Sequence, residues 1–360
     1  MGVRDGCLIR GIFVDGHKGE EDSDIDIIWR SNTCCSFPSG TKCQRYFSSR
    51  SCSAFLPRRS QLLSFCCDHY NSLQSTMNTA AFQRSPSVAS SNANDSGNGN
   101  EDNTLEEAAI LFTQPVESHL GDCPVCFLPL PLNRRNLVMH TCCCKTICNG
   151  CAYSYYKSNS NTAQPISCLF CRIPPCKSEE EAKQQLKMRA NSKDPVAMNT
   201  LGALHFLKNE YDDAFRYWKQ GAEVGDAESH FNMGVRYRSG DGIEKDEEIG
   251  LRHLEKAAIA GHPHARSLLG CYEDDNHRYE RASKHFFIAA SFGCCQSVLM
   301  LTYYYQDGYI SEDEYAGSLR AYQAFEDAST SKDRKEAEDD LEWKERYLTY
   351  NEGETSYVYY

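Results

Sequence analysis

Three cysteine pairs of the form C-x2-C, Cys123–Cys126, Cys148–Cys151 and Cys168–Cys171, define the chemistry open to this chain. Two intervening residues let a tight turn bring both sulfurs onto one tetrahedral ion, with zinc–sulfur bonds near ~2.3 Å. Three pairs supply six ligands, whereas two closed tetrahedral sites need eight. The missing two must come from the stretch HTCCC, which holds His140, Cys142, Cys143 and Cys144. Adjacent residues project in diverging directions, while residues separated by one position in an extended segment share a side. That favours Cys142 and Cys144, with Cys143 as the alternative ligand. His140 paired with Cys142 leaves a long reach to Cys148. Four thiolates per ion leave no open position, so the expected cofactor is two structural Zn2+ that activate no water. No HExxH or G-x-S-x-G occurs, and no catalytic side chain is expected.

With Cys142 and Cys144 as ligands the pattern is C-x2-C-x15-C-x-C-x3-C-x2-C-x16-C-x2-C. It resembles a RING finger in which the usual histidine is replaced by cysteine. The resemblance implies a cross-braced module. Cys123, Cys126, Cys148 and Cys151 would hold one zinc, and Cys142, Cys144, Cys168 and Cys171 the other. It also implies a ubiquitin ligase that binds a charged ubiquitin-conjugating enzyme and acts by positioning, with no covalent intermediate. The matching contact positions are Val125, Leu169 and Arg172. Leu169 stands where the family usually has proline, a departure that keeps alive a second expectation: a non-catalytic, zinc-binding adaptor.

The elements that must carry this module follow in the chain. Ser178, with Glu181 three residues on, reads as a capping box opening a connecting helix over 177–193. Asp194-Pro195 supplies an N-cap and a proline at the first helical position. From there the sequence repeats itself. Gly202, Gly234 and Gly270 correspond at intervals of 32 and 36, and the units close at Gly225, Gly261 and Gly293. Seven residues before each closing glycine stands a large apolar residue, Trp218, Leu254 or Phe286. Small residues let paired helices approach, large ones fill the space between them, and each closing glycine suits a left-handed cap. Unit two, with Met233, Gly234, Tyr237, Gly240, Gly242, Ile243, Asp246, Ala257, Ala258 and Gly261, resembles a Sel-one-like repeat, a relative of the tetratricopeptide repeat. That resemblance implies an all-α solenoid of helix-turn-helix units whose surface binds a protein substrate or scaffold. Three units and a degenerate fourth are expected over 194–327, with Thr302 in place of the fourth glycine.

Residues 1–118 read as a mostly disordered region and linker, because Ser, Asn and Gly dominate from Ser85 to Thr104. Residues 119–176 are the zinc module, an α+β unit, and 328–360 a charged tail with one exposed helix. Net charge is −12, a poor footing for nucleic-acid binding. No run of 18 apolar residues exists, so no membrane span is expected. The start MGVRDGCLIRGIF lacks a signal-peptide core, so cytoplasm or nucleus is the expected compartment.

Overall fold

The computed structural model describes residues 12–13, 28–29, 111–160, 166–340 and 343. Ile12–Phe13 pairs antiparallel with Ile28–Trp29. The remaining expectations for residues 1–110, and those for the chain end beyond residue 343, lie outside the described residues.

Two tight turns built alike bracket the cysteine-rich region. In the first, Phe127 N–H donates to the Cys123 carbonyl and Cys123 N–H to that of Leu128. In the second, Arg172 N–H donates to Cys168 and Cys168 N–H to Ile173. Phe127 and Arg172 both take left-handed φ, +57° and +59°, which closes each turn behind its cysteine pair. Between them lies a hairpin, β1 (Leu137–His140) against β2 (Lys145–Cys148), with Leu137 opposite Cys148 and His140 opposite Lys145. Helix α1 (Asn149–Asn159) starts directly after Cys148, so Cys148 and Cys151 sit on either side of its first turn.

The helix at Ser178, α2 (Glu179–Asn191), begins as the sequence suggests, with the Ser178 hydroxyl accepting from Glu181 N–H. The reciprocal bond goes one residue further back, from Lys177 N–H to the Glu181 carboxylate. Helix α2 is not a free connector. It packs on α3 (Pro195–Leu207), burying Leu186 completely and Ala190 beside Cys144 and Met139 of the cysteine-rich region.

Helices α3 and α4 (Tyr211–Glu223), α5 (Ala227–Ser239) and α6 (Glu247–Ile259), and α7 (Pro263–Asp275) and α8 (Tyr279–Ser291) form successive antiparallel pairs. The small-to-large complementarity is literal. A Cβ on Gly202 would fall 2.5 Å from the Trp218 ring, on Gly234 2.8 Å from Leu254, and on Gly270 2.5 Å from Phe286. Asp194, Asp226 and His262 hold equivalent N-cap positions. A fourth pair, α9 (Cys295–Gln306) and α10 (Glu312–Ala328), completes an all-helical repeat array. There Thr302, in the glycine's place, shares a hydrogen bond with the Tyr315 hydroxyl.

Both flanks of the array fold back. Helix α11 (Lys332–Asp339), expected as an exposed helix, packs against α1. Ala337 and Trp343 are buried with Leu130, Val138, Ile147 and Tyr153. The approach is close enough that a Cβ on Gly150 would meet the Arg334 backbone at 2.6 Å. Residues 111–118, read from the sequence as the end of the mostly disordered N-terminal region and linker, lie with His119 along α5 to α8, with Leu111 buried among their side chains.

Candidate metal centres

The turns and α1 gather Cys123, Cys126, Cys148 and Cys151, whose sulfurs all lie within 4.8 Å of one another. Cys142, Cys143, Cys168 and Cys171 form a second such group. Along the chain the pairs alternate, Cys123/Cys126 and Cys148/Cys151 for the first tetrad with Cys142/Cys143 and Cys168/Cys171 for the second, so the two tetrads interleave. Sulfurs on a tetrahedral zinc, with bonds of ~2.3 Å, stand about 3.8 Å apart. Here Cys123–Cys151 measures 3.9 Å, Cys126–Cys148 3.8 Å, Cys143–Cys168 3.7 Å and Cys142–Cys171 3.3 Å. A disulfide needs ~2.05 Å, and none joins the cysteines among the described residues. The donor sets therefore fit a tetrahedral, sulfur-loving cation.

Electrostatics point the same way. Cys148 donates to Cys123, which holds the Cys123 thiol down at about 4 and pushes that of Cys148 up. Burial pushes Cys151 up to about 12, Cys143 up to about 11, and Cys142 up as well. Alone, these clusters resist further ionisation, because each added thiolate meets burial and like charge. A bound dication reverses that balance and takes all four as thiolates.

The placement of Cys143 differs from the spacing argument, which assumed an extended segment. The chain turns here: Cys143 and Cys144 N–H both donate to the His140 carbonyl, at 3.2 and 2.7 Å. Cys144 takes φ +54°, and its side chain swings to the opposite side. There it is buried against Leu186 and Met198, its thiol pushed up to about 12 by burial. His140 is buried with its ring edge toward Phe170, and Cys176 packs beside Thr141; both stand outside the tetrads.

Two features near the tetrads carry no sequence motif. Arg334 of α11 reaches over the first tetrad, its Nη2 3.5 Å from Cys126 Sγ, while its guanidinium donates to the Leu128, Pro129 and Ser329 carbonyls. Burial works against its charge, but the sulfurs of Cys148 and Cys126 raise its pKa nonetheless. The second feature is Glu228, in the first turn of α5. It pairs with Arg134 and, at 2.9 Å, with His119, both from the cysteine-rich side; His262 Nε2 lies 3.6 Å away. Burial opposes the Glu228 charge, yet Arg134, His262 and His119 hold its carboxyl well below the usual range. His262 Nδ1 accepts from Ala265 N–H, so Nε2 carries the ring proton and faces the carboxylate as a donor. Through Arg134 and His119, Glu228 ties the cysteine-rich side to the first turn of α5.

Of the other residues singled out in the sequence, Val125 and Arg172 are exposed on the two cysteine turns, and Leu169 is half-buried. Phe127 and Ile173, not singled out, are exposed apolar neighbours on the same turns. Their signal was their position, directly after Cys126 and shortly after Cys171.

No family model matches the chain. Over 56 residues it is 43% identical to the E3 ubiquitin-protein ligase DA2 of Arabidopsis thaliana, a stretch covering 15% of this chain and 12% of that protein. Over 96 residues it is 31% identical to an uncharacterised Sel1-like repeat-containing protein of Schizosaccharomyces pombe, covering 25% of this chain and 14% of the relative. The repeats are thus similar to Sel1-like repeats in sequence. The crystal structure of a Sel1 repeat protein from Oxalobacter formigenes aligns with 46% of this chain and 49% of its own, at 20% identity and a TM-score of 0.37. That of a protective antigen of uropathogenic Escherichia coli with an SLR fold aligns over 48% and 34%, at 22% identity and a TM-score of 0.27. No helix among the described residues is long and apolar enough to cross a membrane.

Proposed function

We propose that the chain is a RING-type ubiquitin ligase in which two structural Zn2+ ions shape a docking surface for a ubiquitin-conjugating enzyme. The helical repeats hold the substrate or a scaffold. The observation that carries this reading is the pair of interleaved cysteine tetrads. Each would hold one zinc through four thiolates, which supplies rigidity and leaves no position for water. The rest of the reading is positioning: Val125, Leu169 and the neighbouring Phe127 and Ile173 present apolar surface, and Arg172 presents a cation beside them. Similarity to a plant ubiquitin ligase over a short stretch supports the same reading. The ligand set in this proposal is Cys142 and Cys143, not Cys144, for the second ion.

The second reading, a non-catalytic adaptor, rests on Leu169, which replaces the proline of the resembled family. Full-length protein with ubiquitin, activating enzyme and a panel of conjugating enzymes separates the two. The ligase reading expects self-modification that is lost in the Val125→Ala/Arg172→Ala double variant. Absence of transfer with every enzyme, from protein shown by native mass spectrometry to carry two zincs, selects the adaptor.

A further inference from the structure

The segment 111–119 is held on the repeats like a bound peptide. Arg266 of α7, 1% exposed, spends its guanidinium on main-chain oxygens: Nη1 donates to the Leu111 carbonyl and Nη2 to that of Thr113 at 3.2 Å. Pairing of this kind reads backbone and is indifferent to side-chain identity. Specificity comes from the flanking contacts. Leu111 enters an apolar pocket of Phe231, Val235, Leu254 and Leu269. Phe112 lies on His285 with ring centroids 4.7 Å apart, under the Arg281 guanidinium at 5.0 Å. Gln114 donates to the Ser291 hydroxyl. Further along, the strap crosses Gly261, whose carbonyl accepts from His119 N–H. Gly261 has φ +84°, and a Cβ there would meet the Glu117 carbonyl at 2.6 Å, so this glycine serves both the helix cap and the crossing.

The fit is incomplete in a telling way. His285 is fully buried, yet neither ring nitrogen has a hydrogen-bond partner among the described residues, and Arg266 Nε has none. These polar atoms lie beneath the strap at Phe112 and Leu111. Groups of this kind are normally satisfied in a finished interior. Val116, in the middle of the strap, is 96% exposed. We propose that α5 to α8 form a peptide-binding groove, that residues 111–119 occupy it in cis, and that a partner segment with an adjacent leucine and aromatic residue and a hydrogen-bonding side chain competes for it.

This rests on the reading that the repeats hold a protein partner, and it specifies both the site and its regulation. A tethered occupant acts at an effective concentration of about millimolar. Binding from solution is then weakened by the fraction of time the groove is open. The probe is a fluorescent synthetic peptide of residues 105–120, measured by anisotropy against the full-length chain. In the Leu111→Ser/Phe112→Ser variant, which loosens the cis segment, the peptide should bind at least ten-fold more tightly than to wild type. Adding Arg266→Met should reverse that gain at least ten-fold. A loosened variant that keeps its helical signal and cooperative melting but binds no better than wild type overturns the proposal. Hydrogen exchange on the wild-type chain gives a test free of substitutions. Saturating peptide should speed exchange in residues 111–119 and leave α5 to α8 protected; unchanged exchange there also overturns it. Neither measurement involves ubiquitin, so loss of the ligase reading leaves this result standing, and the converse holds.

Discussion

The guanidinium of Arg334 stands 3.5 Å from the sulfur of Cys126, a residue 208 positions earlier in the chain. It is 4% exposed and carries a full charge beside a cluster that, filled with a dication and four thiolates, would be net negative. Groups around a metal's ligands typically change affinity by about 10- to 100-fold when removed. Arg334→Met should therefore weaken one of two bound zincs by about ten-fold or more and leave the other unchanged. Competition with a chromogenic chelator resolves the two steps. Arg334→Lys, which keeps the charge but not the fork, should fall between.

The turn at His140 to Cys144 yields a sharper test of the ligand set. Native mass spectrometry should count two zincs on wild type and on Cys144→Ala, but one on Cys143→Ser. Retention of two ions by Cys143→Ser, with loss in Cys144→Ala, would reverse the assignment.

Gly202 faces the Trp218 ring with no room for another carbon. Gly202→Ala should destabilise the repeats by about 1–3 kcal/mol, the usual cost of overpacking. Urea denaturation followed by helical circular dichroism measures this. Adding Trp218→Leu, which reopens the space, should recover part of the loss, whereas additive losses would show that the two residues do not meet.

His285 is buried, and that burial, with Arg266 and Arg281 nearby, lowers its pKa to about 3. An unfolded histidine titrates near ~6.5. Between those values the unfolded chain binds the extra proton, so stability falls as pH drops below about 6.5 and is unaffected above it. The slope from one such group is at most about 1.4 kcal/mol per pH unit. His285→Leu should flatten the pH dependence of the unfolding free energy between pH 6.5 and 5 by up to that amount. Comparing the variant with wild type cancels the shared contribution of the cysteine clusters.

How much of this was legible depends on whether the cause is local. Gly202, Gly234 and Gly270 with Trp218, Leu254 and Phe286 recur at a fixed period, and a period implies stacked helix pairs without further information. The C-x2-C pairs were equally plain, because two residues suffice to define their turn. The choice between Cys143 and Cys144 was not, since it hangs on the left-handed φ of Cys144, which no neighbouring glycine or proline announces. Arg334, Ala337 and Trp343 stand in a stretch rich in charge, where one buried stripe on a short helix leaves little pattern. The strap did leave a trace: AAILF, Ala108–Phe112, is an apolar run that a solvated linker has no reason to carry.

The return of α11 to α1 gives the cysteine-rich unit a core completed by Ala337 and Trp343. Topologically, the whole repeat array is an insertion within that one domain. During synthesis, its interior stays open until residue 343 has left the ribosome. A fragment ending after α2 lacks part of its own core, so any truncation that isolates the cysteine-rich segment studies an unfinished domain.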